Sequence, residues 1–196
     1  ETQLGKLGVD VRLNSEVTAQ TLAQSHADAV VVATGSRPRL PAIPGIDGKN
    51  VVEVIDWHLG RGEVRGERVV MAGGGLSACD AALELALQGK RVTIVEMLPA
   101  IAVDLNLPSR VGLLKALAAH DVRILTGHRI TAFTADGVAA RTGDGTEHQI
   151  PADTSVVALG VRSDDALVEP VRALWKEVYV VGDCVKPAKV GEAVRA

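Results

Sequence analysis

Residues 67–96 read ERVVMAGGGLSACDAALELALQGKRVTIVE. Arg68 to Met71 is a short apolar run and predicts a buried strand. It feeds Gly73-Gly74-Gly75. From Leu76 to Gln88, apolar residues recur at helical spacing: Leu76, Cys79, Leu83, Ala86 and Leu87 form one stripe. Gly89 is placed to stop that helix. Arg91 to Glu96 predicts a second strand, closing on an acid 23 residues after Gly73. The order is strand, GxGxxA, helix, strand, acid, and each part has a physical job. Gly73 permits the tight turn, and Gly75 lets a diphosphate approach the backbone. Ala78 is small enough for the helix to lie close to the sheet. The helix start offers unpaired N–H groups and partial positive charge to phosphates.

Glu96 can accept both ribose hydroxyls of an adenosine. A 2′-phosphate beside it would be repelled, and Met97 and Leu98 supply no arginine to hold one. NAD(H) is therefore favoured over NADP(H). Contacts are expected from Gly73, Gly74, Gly75, Leu76, Ser77, Ala78, Glu96 and Met97. The competing reading is a tight turn that binds nothing, with Glu96 a solvated strand-end acid.

Working outward, short apolar runs alternate with helical patterns, the signature of an α/β fold. Gly8 to Leu13 predicts a short strand, and Ala27 to Ala33 a strand covered on both faces, ending at Thr34-Gly35. The stretch 36–48, SRPRLPAIPGIDG, carries Pro38, Pro41 and Pro44. It cannot be a central strand or a helix interior, so it reads as a linker. Asn50 to Val54 predicts a strand, Ile55 to Leu59 a helical turn, Leu107 to Ala119 a helix and Val122 to Leu125 a strand. Gly127 to Ile150 breaks at Asp136-Gly137 and Gly143-Asp144-Gly145, predicting an antiparallel meander. Thr154 to Leu159, before Gly160, and Glu177 to Val181, before Gly182-Asp183, are the last strands.

Composition narrows the function. The 196 residues are 47% hydrophobic and 23% charged, an ordinary globular balance. Lys plus Arg is 21 and Asp plus Glu is 24, a net charge of −3, so nothing attracts a phosphate backbone. Aromatics are 2%: Trp57, Trp175, Phe133 and Tyr179, too few for base stacking. Nucleic acid is not an expected partner. No apolar run approaches the roughly 18 residues of a membrane helix, and ETQLGKLG has no signal pattern. No membrane partner and a cytoplasmic setting are expected. Cys79 and Cys184 form no CxxC, which excludes a redox-active disulfide mechanism, and they read as reduced core residues. His26, His58, His120, His128 and His148 lack metal-ligand spacing, so no metal is expected. Ser77 lacks the GxSxG frame of a nucleophile.

The combination ATGSRPRLPAIPG at 33–45, the glycine turn, ALG at 158–160 and VYVVGDC at 178–184 resembles a known group. It is similar to the FAD/NAD(P)-binding, pyridine nucleotide-disulphide oxidoreductase-like region of flavoproteins with two dinucleotide-binding domains. The ending VGDCVKPAKVGEAVRA is most similar to 2,4-dienoyl-CoA reductases and old-yellow-enzyme-like NADH:flavin oxidoreductases. The resemblance implies a doubly wound, Rossmann-like NAD domain with an antiparallel meander (47–176), inserted in a partial FAD-type domain (1–46 and 177–196). Thr34-Gly35 would then lie at the crossover, Gly160 near the nicotinamide, and Gly182 and Asp183 at the flavin, the Asp accepting from the ribityl chain. Asp80 stands where such proteins carry Glu near the nicotinamide; a favourable charge in a helix's first turns is the competing reading. Lys186 and Lys189 read as a solvated helix start, with flavin contact the alternative, and Asp104 and Asp164-Asp165 as loop or cap residues.

The pattern also departs from the group. A first FAD fingerprint is absent, as are the flavin-bearing barrel, the iron–sulfur cysteines and the catalytic acid of the parent, and Arg162-Ser163 stands for Arg-Pro. The chain reads as a piece of a larger protein with an incomplete FAD site. Its outer domain is expected to expose apolar surface, which favours homo-oligomers. The resemblance implies a module that passes hydride from NADH to a flavin, without a catalytic side chain of its own. The alternative it implies is a non-catalytic, ADP-binding structural domain, as in amine dehydrogenase relatives.

Overall fold

The computed structural model describes residues 2–25 and 27–193; His26 lies outside them. The chain divides into two compact units, 1–37 with 162–196, and 38–161. The sequence places these limits at 46/47 and 176/177. Ile43 and Ile46 explain why the proline-rich stretch goes with the second unit, because both pack on its core.

The first unit contains α1 (Thr2–Lys6), α2 (Ala19–Leu22), β1 (Val30–Val32) and most of β2 (Ser36–Pro38). The second contains β3 (Val51–Glu53), α3 (Val54–His58), β4 (Arg68–Ala72), α4 (Leu76–Leu87), β5 (Arg91–Val95), α5 (Leu107–Ala119), β6 (Arg123–Leu125), β7 (His128–Thr134), β8 (Gly137–Thr142), β9 (Glu147–Pro151) and β10 (Thr154–Val157). After β11 (Val161–Ser163) the chain returns to the first unit with α6 (Val168–Arg172), β12 (Val178–Val180), a 3₁₀ turn (Gly182–Cys184) and α7 (Val190–Ala193). β2 and β11 pair with each other.

The second unit is a mixed α/β structure with a Rossmann-type sheet. Its strand order is β3-β10-β4-β5-β6, all parallel. Period-two alternation sends Val69, Met71, Val92, Ile94 and Val156 to one face, against α4 and α5. Val70, Ala72, Val95 and Val157 go to the other, against Ile130, Phe133, Val138 and Ile150 of the meander β7-β8-β9. Helices therefore cover one face and antiparallel strands the other. This is why β4 is a near-continuous buried apolar run.

Three local expectations differ from the structure. Gly8 to Leu13 forms no strand and pairs with none of the strands among the described residues. β1 is covered on one face only: Val31 is 62% exposed beside its register partner Tyr179 at 55%. On α4 the buried residues are Ala78, Cys79, Ala81, Ala82 and Leu85, while Leu76 and Leu87 are exposed. The alanines of the buried face, beside Cys79 and Leu85, are small enough to let the helix axis approach the sheet closely.

Two groups in the second unit carry testable consequences. Ser155, fully buried on the interior strand β10, has a hydroxyl without a hydrogen-bond partner among the described residues. An orphaned buried hydroxyl costs about 1–3 kcal/mol. Ser155→Ala is therefore expected to stabilise the chain by about 1 kcal/mol in urea unfolding; a destabilised variant would contradict this. Asp153 Oδ2 accepts from the Glu67 and Arg68 N–H groups at 2.9 and 2.8 Å, and Oδ1 from Arg68 Nη2 at 2.6 Å. The Arg68 side chain, then these backbone donors, hold the Asp153 carboxyl well below the usual carboxylate range. A depressed folded-state pKa contributes stability that is present above the unfolded value of about 3.9 and is lost as pH falls below it. Urea unfolding at pH 6 and pH 3 is expected to show a smaller acid loss for Asp153→Asn than for the wild type. Equal losses would remove the assignment.

Candidate functional site

The glycine turn lies at the carboxyl end of β4, between β10 and β5. Gly73 has φ +108°, and a Cβ there would lie 2.4 Å from the Ala158 carbonyl oxygen. Gly74 is buried, and a Cβ on it would meet Ile101 Cγ2 at 2.5 Å and Glu96 Cβ at 3.0 Å. Gly75 differs: its φ of −69° suits any residue, and a Cβ would meet nothing within 4 Å. The first two glycines are thus required by the protein's own packing. The third borders open space, where a ligand can come up to the main chain.

Gly75 is also the N-cap of α4 and contributes no side-chain cap. The ladder begins with the Cys79 N–H to the Gly75 carbonyl at 3.0 Å. The first-turn N–H groups of Leu76, Ser77 and Ala78 therefore have no intrahelical acceptor, which makes this helix end receptive to an anion. Leu76 and Ser77 are exposed, whereas Ala78 is 1% exposed and packs in the helix–sheet core.

Glu96, half-buried one residue beyond β5, is tied to the turn. Its Oε2 accepts from the Gly74 N–H at 2.6 Å and its Oε1 from the Leu98 N–H at 2.7 Å. Each oxygen keeps a further lone pair, so the carboxylate remains able to accept a sugar hydroxyl. Sequence order sets this acid at the strand end and gives no sign that it also holds Gly74. Met97 follows, exposed. Gly160 emerges at the same end of the sheet, because β10 runs parallel to β4. Asp80 is exposed on α4.

Cys79 is buried beside the turn, its Sγ 3.6 Å from the Gly74 carbonyl. Burial, then Asp80 and Glu96, push its thiol up to about 11. It is therefore protonated at neutral pH and is no nucleophile.

The other expected residues meet in the first unit. Asp183 Oδ2 accepts from Ser36 Oγ at 3.2 Å and Oδ1 from the Ala188 N–H at 3.2 Å. The Thr34 hydroxyl and the Cys184 thiol both donate to the Asp164 carbonyl, the thiol at 3.3 Å. The Asp164 N–H donates to the Gly35 carbonyl at 2.9 Å, and its side chain accepts from Arg37 Nε at 2.7 Å. Asp164 thus links Thr34-Gly35 to Cys184, beside Gly182 and Asp183. Sequence reasoning took Asp164 for a loop residue and passed over Ser36, since separations of 127 and 147 residues leave no local signal.

A groove of about 560 Å³ lies at the opposite, amino end of the sheet, lined in part by Arg68, Lys90, Arg91 and Arg123. Arg68 and Arg91 are paired with Asp153 and Glu67, and Lys90 Nζ donates to the Gly66 carbonyl at 2.6 Å. The turn at the carboxyl end is the better candidate, since open α/β sheets bind ligands there. Among the described residues no group of three or more His, Cys, Asp or Glu side chains could hold a metal ion, and no helix is long and apolar enough to cross a membrane.

The chain is 34% identical to NADH oxidase from Thermoanaerobacter brockii over 99% of this chain and 30% of that protein. It is 34% identical to cinnamate reductase from Clostridium sporogenes over 97% and 29%. The solved complex of 2-naphthoyl-CoA reductase with 2-naphthoyl-CoA superposes with a TM-score of 0.89 at 36% identity, over 98% of this chain and 29% of that one. The chain spans under a third of each of these larger oxidoreductases. The family described as pyridine nucleotide-disulphide oxidoreductase matches residues 1–196. With its glycine turn, helix start and strand-end acid in place, this chain belongs to the pyridine nucleotide-disulphide oxidoreductase family.

Proposed function

We propose that this chain binds NADH and presents its nicotinamide to a flavin within a larger flavin-dependent oxidoreductase. The observation that carries the reading is the turn at Gly73–Gly75, with open space at Gly75, unpaired N–H groups on α4 and Glu96 hydrogen-bonded to Gly74. The second unit is the NAD domain, and the first is the partial FAD-type domain, with Asp183 held by Ser36 for a ribityl hydroxyl. NADH supplies the hydride and the flavin accepts it. The chain's own residues bind and orient. The amides of Leu76, Ser77 and Ala78 take the diphosphate, and Glu96 takes the adenosine ribose. No side chain needs to move a proton for the transfer. The names of the relatives cinnamate reductase and 2-naphthoyl-CoA reductase support a conjugated acid or acyl thioester as the parent's electron acceptor.

Glu96 favours NADH over NADPH, because a 2′-phosphate would face a carboxylate. Titration of the chain with NADH, NADPH and ADP, followed by nicotinamide fluorescence and calorimetry, tests the proposal. NADH is expected to bind at least about tenfold more tightly than NADPH and more tightly than ADP. ADP matching NADH would support the non-catalytic nucleotide-binding reading instead, and failure of all three to bind would overturn both. Glu96→Arg is expected to move the preference toward NADPH, while releasing the Gly74 and Leu98 amides it now holds.

A further inference from the structure

The loop between β5 and α5 carries an unusual residue. Ala102 has φ +51° yet is 1% exposed; among the described residues the other non-glycine residues with positive φ, Asn14 and Asp121, are exposed. A buried alanine in the left-handed region persists only where its surroundings over-determine it. What it gains is a main-chain bond: the Ala102 N–H donates to the Gly74 carbonyl at 2.7 Å. The Gly74 peptides are therefore gripped on both sides, by Ala102 at the carbonyl and by Glu96 at the N–H. Ile101, 3% exposed, packs where a Gly74 Cβ would be, and its own carbonyl accepts from Arg110 Nε at 2.9 Å. Arg110 lies on the first turns of α5, half-buried. Its guanidinium thus ties α5 to the peptide that leads into the positive-φ residue.

We propose that Arg110 is a positioning residue for the diphosphate-binding turn, acting through Ile101 and Ala102. The chain of contacts runs from α5 through Arg110, the Ile101 carbonyl and the Ala102 amide to the Gly74 carbonyl. It fixes the peptide that leads into the open N–H groups of α4 before any ligand arrives, which removes ordering cost from binding. The inference rests on the NADH-binding reading, so its test has one arm that uses no nucleotide.

The test compares Arg110→Met and Arg110→Lys with the wild type. In the nucleotide-free chain, amide hydrogen exchange at Ala102 and Gly74 is expected to accelerate at least about tenfold in Arg110→Met relative to Ile94 in the sheet. ADP and NADH are expected to bind about tenfold more weakly to Arg110→Met, while adenosine, which has no phosphate, keeps its affinity. Arg110→Lys, whose ammonium can donate to the Ile101 carbonyl, is expected to recover most of both properties. Unchanged protection at Ala102 in Arg110→Met, or equal weakening of ADP and adenosine, would overturn the proposal. A wild type that binds neither ADP nor NADH would instead sink the functional reading, with the exchange arm still deciding whether Arg110 holds the turn.

Discussion

A chain carrying Gly75→Ser is expected to fold at least as well as the wild type and to bind NADH about a hundredfold more weakly. The two effects have opposite signs for one reason. Gly75 is the N-cap of α4 with φ −69° and ψ 177°, a conformation serine adopts without strain, and no atom lies within 4 Å of a Cβ built there. A serine hydroxyl at this position accepts from first-turn amides that glycine leaves free, and serine exceeds glycine as a cap by a few tenths of a kcal/mol. Those same amides are the proposed donors to the diphosphate. Hydrogen bonds to a charged acceptor contribute about 1.5–3 kcal/mol each. Capture of one or two of them, with a side chain standing where the diphosphate would lie, gives the expected loss. Thermal unfolding and ADP calorimetry on the same sample check it. Wild-type affinity in a stably folded Gly75→Ser chain would show that the diphosphate does not sit at this helix start.

Gly73→Ala is expected to act on the fold itself, destabilising it by about 3 kcal/mol. At φ +108° an alanine is strained whatever its surroundings, by about 1–2 kcal/mol. Its Cβ would also stand 2.4 Å from the Ala158 carbonyl oxygen. That carbonyl belongs to main chain pinned to β4 through the Ala158 N–H, which donates to the Ala72 carbonyl at 2.9 Å, so it cannot give way cheaply. Overpacking of this kind costs about 1–3 kcal/mol, a large share of the roughly 5–15 kcal/mol of an ordinary domain. Urea unfolding measures it directly, and a loss below about 1 kcal/mol would show that the turn relaxes. Together the two variants separate a glycine needed for folding from one needed for the ligand, though a regular-expression match treats them alike.

Much of the second unit was legible because its signals are local. Leu107 to Ala119 was read as a helix and forms one over those residues, with Asn106 accepting from the Ser109 N–H as its cap. The turns at Asp136-Gly137 and Gly143-Asp144-Gly145 separate β7, β8 and β9 as their glycines suggested. The parallel strands were readable as β-branched runs because both faces of the sheet are covered. The same reasoning failed at Val30–Val32, an equally apolar run, because burial depends on what lies against the strand, and only one face of β1 is packed. On α4, apolar periodicity picked out Leu76 and Leu87, which are exposed, and passed over Ala81, Ala82 and Leu85, which are buried, whereas the glycine-turn spacing already put Ala78 against the sheet.

Residue order alone determined the strand–turn–helix–strand–acid unit, since each signal lies within a few residues of the structure it specifies. Folding decided which glycine faces open space, that Glu96 and Ala102 grip Gly74 from two sides, and that Ser36 and Asp164 join segments far apart in the chain. Those outcomes depend on main-chain carbonyls and amides meeting across strands. Every residue but proline carries both groups, so no side-chain pattern announces which of them will pair.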